Sequence, residues 1–113
     1  MKRVYILLAA FSLFWGCEKD NSIDTPKCIE DLIIVISEQP VTDPPESIYR
    51  YQYKGQTVYY RPARCCDIPS AVYDEDCNII CNPSGSIMGG DTLCPDFYES
   101  RTDEKLIWRD TRD

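Results

Sequence analysis

Histidine is missing from all 113 residues of the chain. With it go the usual general base near neutral pH and the commonest metal ligand. The chain is therefore read as a non-enzyme, with no catalytic residue, cofactor or metal site to name. Glycine is scarce, at five residues. The segment richest in it, Gly85-Ser86-Ile87-Met88-Gly89-Gly90-Asp91-Thr92, lacks the lysine of a phosphate loop and reads as a turned or flexible loop. Long hydrophobic runs are absent too. The longest apolar segment, Val4–Trp15, has twelve residues, against roughly 20 for a helix that spans a membrane. Positive charge is short: 12 Lys and Arg face 19 Asp and Glu, a net charge of −7. A surface this acidic repels phosphate backbones and anionic headgroups, which argues against a nucleic-acid partner.

What is present begins at the N-terminus. Lys2-Arg3, then Val4–Trp15, then Gly16 have the layout of a secretory signal. The stretch Phe14-Trp15-Gly16-Cys17 resembles a bacterial lipobox. The resemblance implies cleavage before Cys17, a diacylglycerol thioether on its sulfur and an N-terminus acylated with a palmitate-type chain. Residues 1–16 are thus expected to be a lipoprotein signal peptide, 17–25 a flexible tether, and 26–113 one disulfide-rich domain. Loss of Lys2 and Arg3 takes the net charge from −7 to −9. Attachment to the membrane should then come from lipid, because each buried CH₂ contributes about 0.8 kcal/mol. The expected location is the outer membrane, lipid-anchored. The acidic residues after Cys17 resemble a surface-export signal and favour the outer face, with the periplasmic face as the alternative.

The seven cysteines are Cys17, Cys28, Cys65, Cys66, Cys77, Cys81 and Cys94. An odd count in an exported protein leaves one thiol to explain. Lipid on Cys17 leaves six, enough for three disulfides. Neighbouring Cα atoms lie about 3.8 Å apart, whereas disulfides prefer roughly 5.5–6 Å, so Cys65 and Cys66 are expected to bond different partners. Cys77 and Cys81, on one strand, would stand roughly 13 Å apart. The preferred set is Cys28–Cys65, Cys66–Cys81 and Cys77–Cys94, one of 15 connectivities open to six cysteines. A four-thiolate zinc site is the rival, but the spacing lacks paired C-x2-C knuckles. Arg64 beside Cys65 is the one hint of a lowered thiol pKa, and it reads more simply as a surface charge.

The domain reads as α+β: one N-terminal helix packed on a small antiparallel sheet, stapled by disulfides. Ile29, Leu32, Ile33 and Ile36 recur at helical spacing. Ile34 and Val35 widen that arc and suit a buried strand equally well. Thr25 is the expected N-cap and Pro26 the first helical residue, placing the helix at about 26–38. The segment 41–47 is a proline-stiffened loop. Residues 48–53 and 57–61 form a hairpin about Lys54-Gly55-Gln56. A second, tighter hairpin turns at Glu75-Asp76-Cys77. Residues 96–103 read as a turn or short helix, and 105–109 as a last strand with Leu106 and Trp108 on one side.

Few residues are candidates for a site. Tyr49, Tyr51 and Tyr53 share one strand face. They can stack a glycan or anchor a protein partner, with Arg61 at the margin, provided that face is exposed. Burial against a helix and cross-strand pairing is the plainer reading. Asp74-Glu75-Asp76-Cys77-Asn78 opens like a calcium loop, but Ile79 and Gly85 stand where glycine and glutamate are needed. An acidic solvated turn is expected there, with weak calcium binding through Asp91 or Asp96 as the lesser alternative.

The stretches Y-Q-Y-K-G-Q-T-V-Y-Y (51–60), C-C-D (65–67), V-Y-D-E-D-C-N-I-I-C-N-P-S-G (72–85), C-P-D-F (94–97) and E-K-L-I-W (104–108) together resemble a family of small Bacteroidota lipoproteins classed as a domain of unknown function. The resemblance covers most of 28–110 and implies the disulfide-stapled, lipid-anchored form without an activity. The expected role is a monomeric, lipid-anchored binding or interaction module of the cell envelope, with a protein or glycan partner. The alternative is an inhibitor or immunity-type protein whose stapled 82–93 loop plugs another protein's cleft.

Overall fold

A computed structural model of the chain describes residues 25–64, 68–85 and 89–113. The expected signal peptide, Cys17, most of the tether, Cys65 and Cys66 lie outside the described residues. Among the described residues seven elements follow in order: α1 (Lys27–Ser37), β1 (Ser47–Tyr53), β2 (Gln56–Arg61), β3 (Ala71–Tyr73), β4 (Ile79–Cys81), α2 (Phe97–Ser100) and β5 (Thr102–Arg109). The strands make one antiparallel sheet in the order β4-β3-β2-β1-β5. The chain meanders from β1 to β4, and its last strand returns beside the first. The architecture is a small α+β one, mostly sheet. No helix among the described residues is long and apolar enough to cross a membrane.

The β1–β2 hairpin forms where two tyrosine-rich runs flank Lys54-Gly55. Both turn residues have positive φ, 52° and 79°, the conformation that a two-residue turn joining twisted antiparallel strands requires. The register Tyr49↔Tyr60, Tyr51↔Val58 divides the side chains between two faces. On one face Tyr51, Tyr53, Val58, Tyr60, Val72, Cys81, Cys94 and Phe97 form a buried cluster. On the other, Ile48, Tyr59, Ala71 and Tyr73 meet Ile29 and Ile36 of α1. Each face thus receives a helix.

Three expectations about the elements are corrected. The helix starts at Lys27, and Pro26 occupies the cap position with no side-chain bond. The carbonyl of Pro26 accepts from the amides of Ile29 and Glu30 at 3.0 and 3.1 Å, so Thr25 has no cap to make. Ile34 and Val35 are exposed, at 55 % and 51 %, which rules out a buried strand. Leu106 and Trp108 do not share a face. The register passes from Ile48↔Trp108 to Tyr49↔Leu106, and the extra residue Ile107 is a β-bulge. Ile107 and Trp108 pack towards the α1 face, while Leu106 is left exposed. Such bulges, with Asp103, Glu104 and Lys105 on the same strand, also blunt this sheet edge against pairing with another chain.

The disulfides differ from the expected set. Cys28 bonds Cys77, and Cys81 bonds Cys94. Cys28 and Cys81, expected to serve Cys65 and Cys66, are therefore bonded elsewhere. Cys77 closes the β3–β4 turn at φ 65°, which breaks the strand alternation assumed for it. It lies on the α1 face beside Cys28, whereas Cys81 lies in the opposite cluster with Cys94. The sheet itself separates the two pairs.

Candidate functional site

The tyrosine row does lie on one face, but that face is interior. Tyr51 and Tyr53 are 4 % and 6 % exposed, and both meet the Phe97 ring edge-on, at 5.8 and 5.3 Å between centroids. Tyr49 is half-buried and stacks on Tyr51 at 6.2 Å. The Arg101 guanidinium lies 4.6 Å from the Tyr51 ring centre, 4.9 Å from Tyr98, 5.5 Å from Phe97 and 5.7 Å from Tyr60. A cation over aromatic faces is attracted by their quadrupoles. Helix α2 and Arg101 therefore cover the surface on which exposure of the tyrosines depended. Burial first, and then the hydrogen bond from its hydroxyl to Glu104 at 2.8 Å, pushes the Tyr51 phenol up to about 12.

The acidic turn is committed to its own backbone. The Asp74 carboxylate accepts from the amides of Asp76 and Asn78, both at 2.9 Å, which holds its pKa below the ordinary value, the Asn78 amide first. Asp91 likewise accepts from the amides of Asn82 and Leu93, at 2.7 and 3.1 Å. Asp96 accepts from the Tyr53 hydroxyl at 2.6 Å and the Ser100 hydroxyl at 3.0 Å. Among the described residues no group of three or more His, Cys, Asp or Glu is placed to hold a metal ion.

Of the four residues proposed for binding, Arg61 lines one of the two cavities described below. It ends β2, and Pro62, with no amide to donate, follows it. Glu46 immediately precedes β1, and the amide of Asp110, just past β5, donates to its carbonyl at 2.9 Å. The register Ser47↔Arg109 brings Arg109 to the same end of the sheet. Arg64 is fixed there by a bridge in which its amide donates to the Ile68 carbonyl at 3.1 Å. The start of β1, the ends of β2 and β5 and the segment after β2 thus bring Glu46, Arg61, Arg64 and Arg109 to one end of the sheet.

The Glu46 side chain is 5 % exposed. Arg61 donates to it twice, Nε to Oε1 at 3.0 Å and Nη2 to Oε2 at 2.7 Å. Burial opposes the Arg61 charge, but Glu46 and Tyr73 together outweigh it and hold the pKa above its ordinary value. Arg64 comes second to the same carboxylate, with Nε 3.4 Å from Oε2. Its Nη1 is buried and has no hydrogen-bond partner among the described residues. Burial, and next the Arg61 charge, push the Arg64 pKa down. Far from being a surface charge, the Arg64 side chain is 19 % exposed.

Two cavities flank this cluster. One, of about 440 Å³, is walled by Pro44, Pro45, Pro62 and Ala63, with Glu46, Arg64 and Arg109 as its charged groups. The other, of about 580 Å³, lies under the 39–43 loop and includes Val41, Thr42, Arg61, Arg64 and Ile68. Both fall within the range of small-molecule pockets. Sequence reasoning missed Glu46 and Arg109 and set Arg64 aside as a surface charge. The only local sign is R-P-A-R at 61–64, opposite P-P-E at 44–46.

The fold and this cleft define a small, disulfide-stapled α+β domain with a cationic pocket at one end of its sheet. The chain belongs to the family described as a domain of unknown function (DUF6970), whose model matches residues 35–110. No curated protein and no solved structure matches the chain.

Proposed function

We propose that this protein is a lipid-anchored component of the cell envelope whose folded domain is a binding module, with its ligand seated in the cleft around Glu46, Arg61 and Arg64. The observation that carries the reading is the Arg64 guanidinium. It is largely buried beside two cavities, it is second to a carboxylate that Arg61 already satisfies, and one of its donors lacks an acceptor among the described residues. An unmet buried donor costs about 1–3 kcal/mol; Nη1 is itself closed to solvent, so a ligand recovers that cost by drawing the guanidinium towards the cavity. The anchor is supported by Gly16-Cys17 and by the mutual pairing of four of the other six cysteines.

A fragment library screened by amide chemical shifts on the full chain in detergent tests the cleft. Shifts confined to Thr42, Ala63, Arg64 and Ile68 support it; a silent cleft removes it. Intact mass of the membrane-extracted protein tests the anchor through a lipid increment on residues 17–113. A second reading, an inhibitor or immunity-type protein, draws on the Cys81–Cys94 staple that closes the 82–93 segment. Inhibition assays against a panel of proteases and lysozymes decide it.

A further inference from the structure

We infer that the proline-walled cavity is an oxyanion seat: it takes a small molecule with one carboxylate or phosphate group on a short apolar body, held between Arg64 and Arg109. The inference rests on the cleft being the binding site and adds the class of ligand.

The first argument is charge. The cavity's ionic groups are Glu46, Arg64 and Arg109. Glu46 is already neutralised by the two short bonds from Arg61, so the cavity presents two cations and no free carboxylate. This positive spot stands in a chain of net charge −7, so it is not a by-product of composition. Arg64 is largely buried and Arg109 is exposed, and an anion in the cavity that both line is attracted by each of them.

The second argument is donor capacity. The five N–H groups of an arginine fit planar or tetrahedral oxyanions in pairs. Arg64 uses Nε on Glu46, at a long 3.4 Å, and its Nη1 has no acceptor among the described residues. Arg109 gives Nη2 to the Tyr49 hydroxyl at 2.8 Å, which fixes the side chain's direction.

The third argument is shape. Pro44, Pro45, Pro62 and Ala63 supply an apolar wall, and the prolines hold it stiffly because their φ angles are fixed. An inorganic ion would leave that wall wet. An acid with a ring or short chain covers it. The cavity's size, about 440 Å³, suits such a molecule rather than a polymer.

The test uses the full chain in detergent, titrated by calorimetry at constant ionic strength with benzoate, phenyl phosphate and neutral benzamide. One of the two acids is expected to bind at least about tenfold tighter than benzamide, the size of effect that a charged hydrogen bond produces. Arg109→Gln should remove that preference; Arg109 is exposed and lies outside the buried Glu46–Arg61 pair, and a thermal melt of the variant checks that the fold is kept. Lys105→Gln, on the same strand but away from the cavity, should leave it intact. Benzamide binding as tightly as the acids, with amide shifts still in the cleft, overturns the oxyanion inference and leaves the cleft standing. A preference that survives Arg109→Gln overturns the inference in the same way. Absence of binding by all three probes, together with a silent fragment screen, overturns both.

Discussion

Arg61 grips Glu46 through two parallel bonds of 3.0 and 2.7 Å at a point where the carboxylate is almost wholly out of water. Breaking such a pair strands a charge in a poorly solvated place, which costs about 3–5 kcal/mol. Glu46→Ala should therefore lower the urea midpoint far more than Glu99→Ala, whose side chain is exposed on α2. Replacing Glu46 and Arg61 together by leucine should recover much of the loss. Equal midpoints for the two single variants would show that the pair contributes little.

The two mapped disulfides predict a specific peptide map. Digestion without reduction should yield Cys28 linked to Cys77 and Cys81 linked to Cys94. Separations of 49 and 13 residues correspond, by loop-closure entropy, to about 4 and 3 kcal/mol. The Cys28→Ser/Cys77→Ser variant should thus lose at least as much stability as Cys81→Ser/Cys94→Ser.

Tyr59 is fully buried and its hydroxyl has no hydrogen-bond partner among the described residues. An orphaned polar group costs about 1–3 kcal/mol, so Tyr59→Phe should be neutral or stabilising. Tyr53→Phe should instead destabilise, since it strips Asp96 of a 2.6 Å bond. A marked drop in the thermal midpoint of Tyr59→Phe would mean that the hydroxyl has an acceptor.

Stability should fall at both ends of the pH scale. Tyr51 ionises near 10 in an unfolded chain and at about 12 in the fold. Between those values the unfolded chain gives up its proton first, so stability declines as pH rises. Tyr51→Phe should flatten that decline. On the acid side, the Arg112 side chain, then its amide, holds Asp110 below its ordinary pKa, and the Tyr53 hydroxyl does the same for Asp96 despite some burial. Their contribution is complete above about pH 4 and is lost as pH falls through the folded values. Urea midpoints followed across pH measure both limbs; a level profile from about pH 10 to 12 would contradict the first.

Gly55 and Gly90 both have positive φ, 79° and 125°, yet their replacement should differ. A Cβ on Gly55 meets nothing, while one on Gly90 runs into the Pro83 carbonyl. Gly55→Ala should lose about 1–2 kcal/mol from backbone strain alone. Gly90→Ala should lose clearly more, because a backbone neighbour must also move.

What could be read from the sequence divides along contact distance. The first hairpin follows from period-two tyrosines around Gly55, and α1 from the spacing of Ile29, Leu32, Ile33 and Ile36. Both depend on neighbours a few residues away. Leu106 and Trp108 part to different faces because a bulge is set by the partner strand, not by the strand's own pattern. The disulfide pairing was not legible because one positive φ, at Cys77, decides which face its sulfur takes. Glu46, Arg64 and Arg109 come to one end of the sheet only because β1 begins where β2 and β5 finish, and no local motif encodes that meeting.

Cys28 is the second residue of α1, and its partner Cys77 belongs to the turn between two sheet strands. Tension on the segment before Lys27 therefore does not peel the helix from its first turn. It passes through a covalent link into the β3–β4 corner, and from there across the inter-strand hydrogen bonds. With the bond intact, load is shared covalently with the sheet; with it reduced, α1 is tied to the sheet by the packing of Ile29 and Ile36.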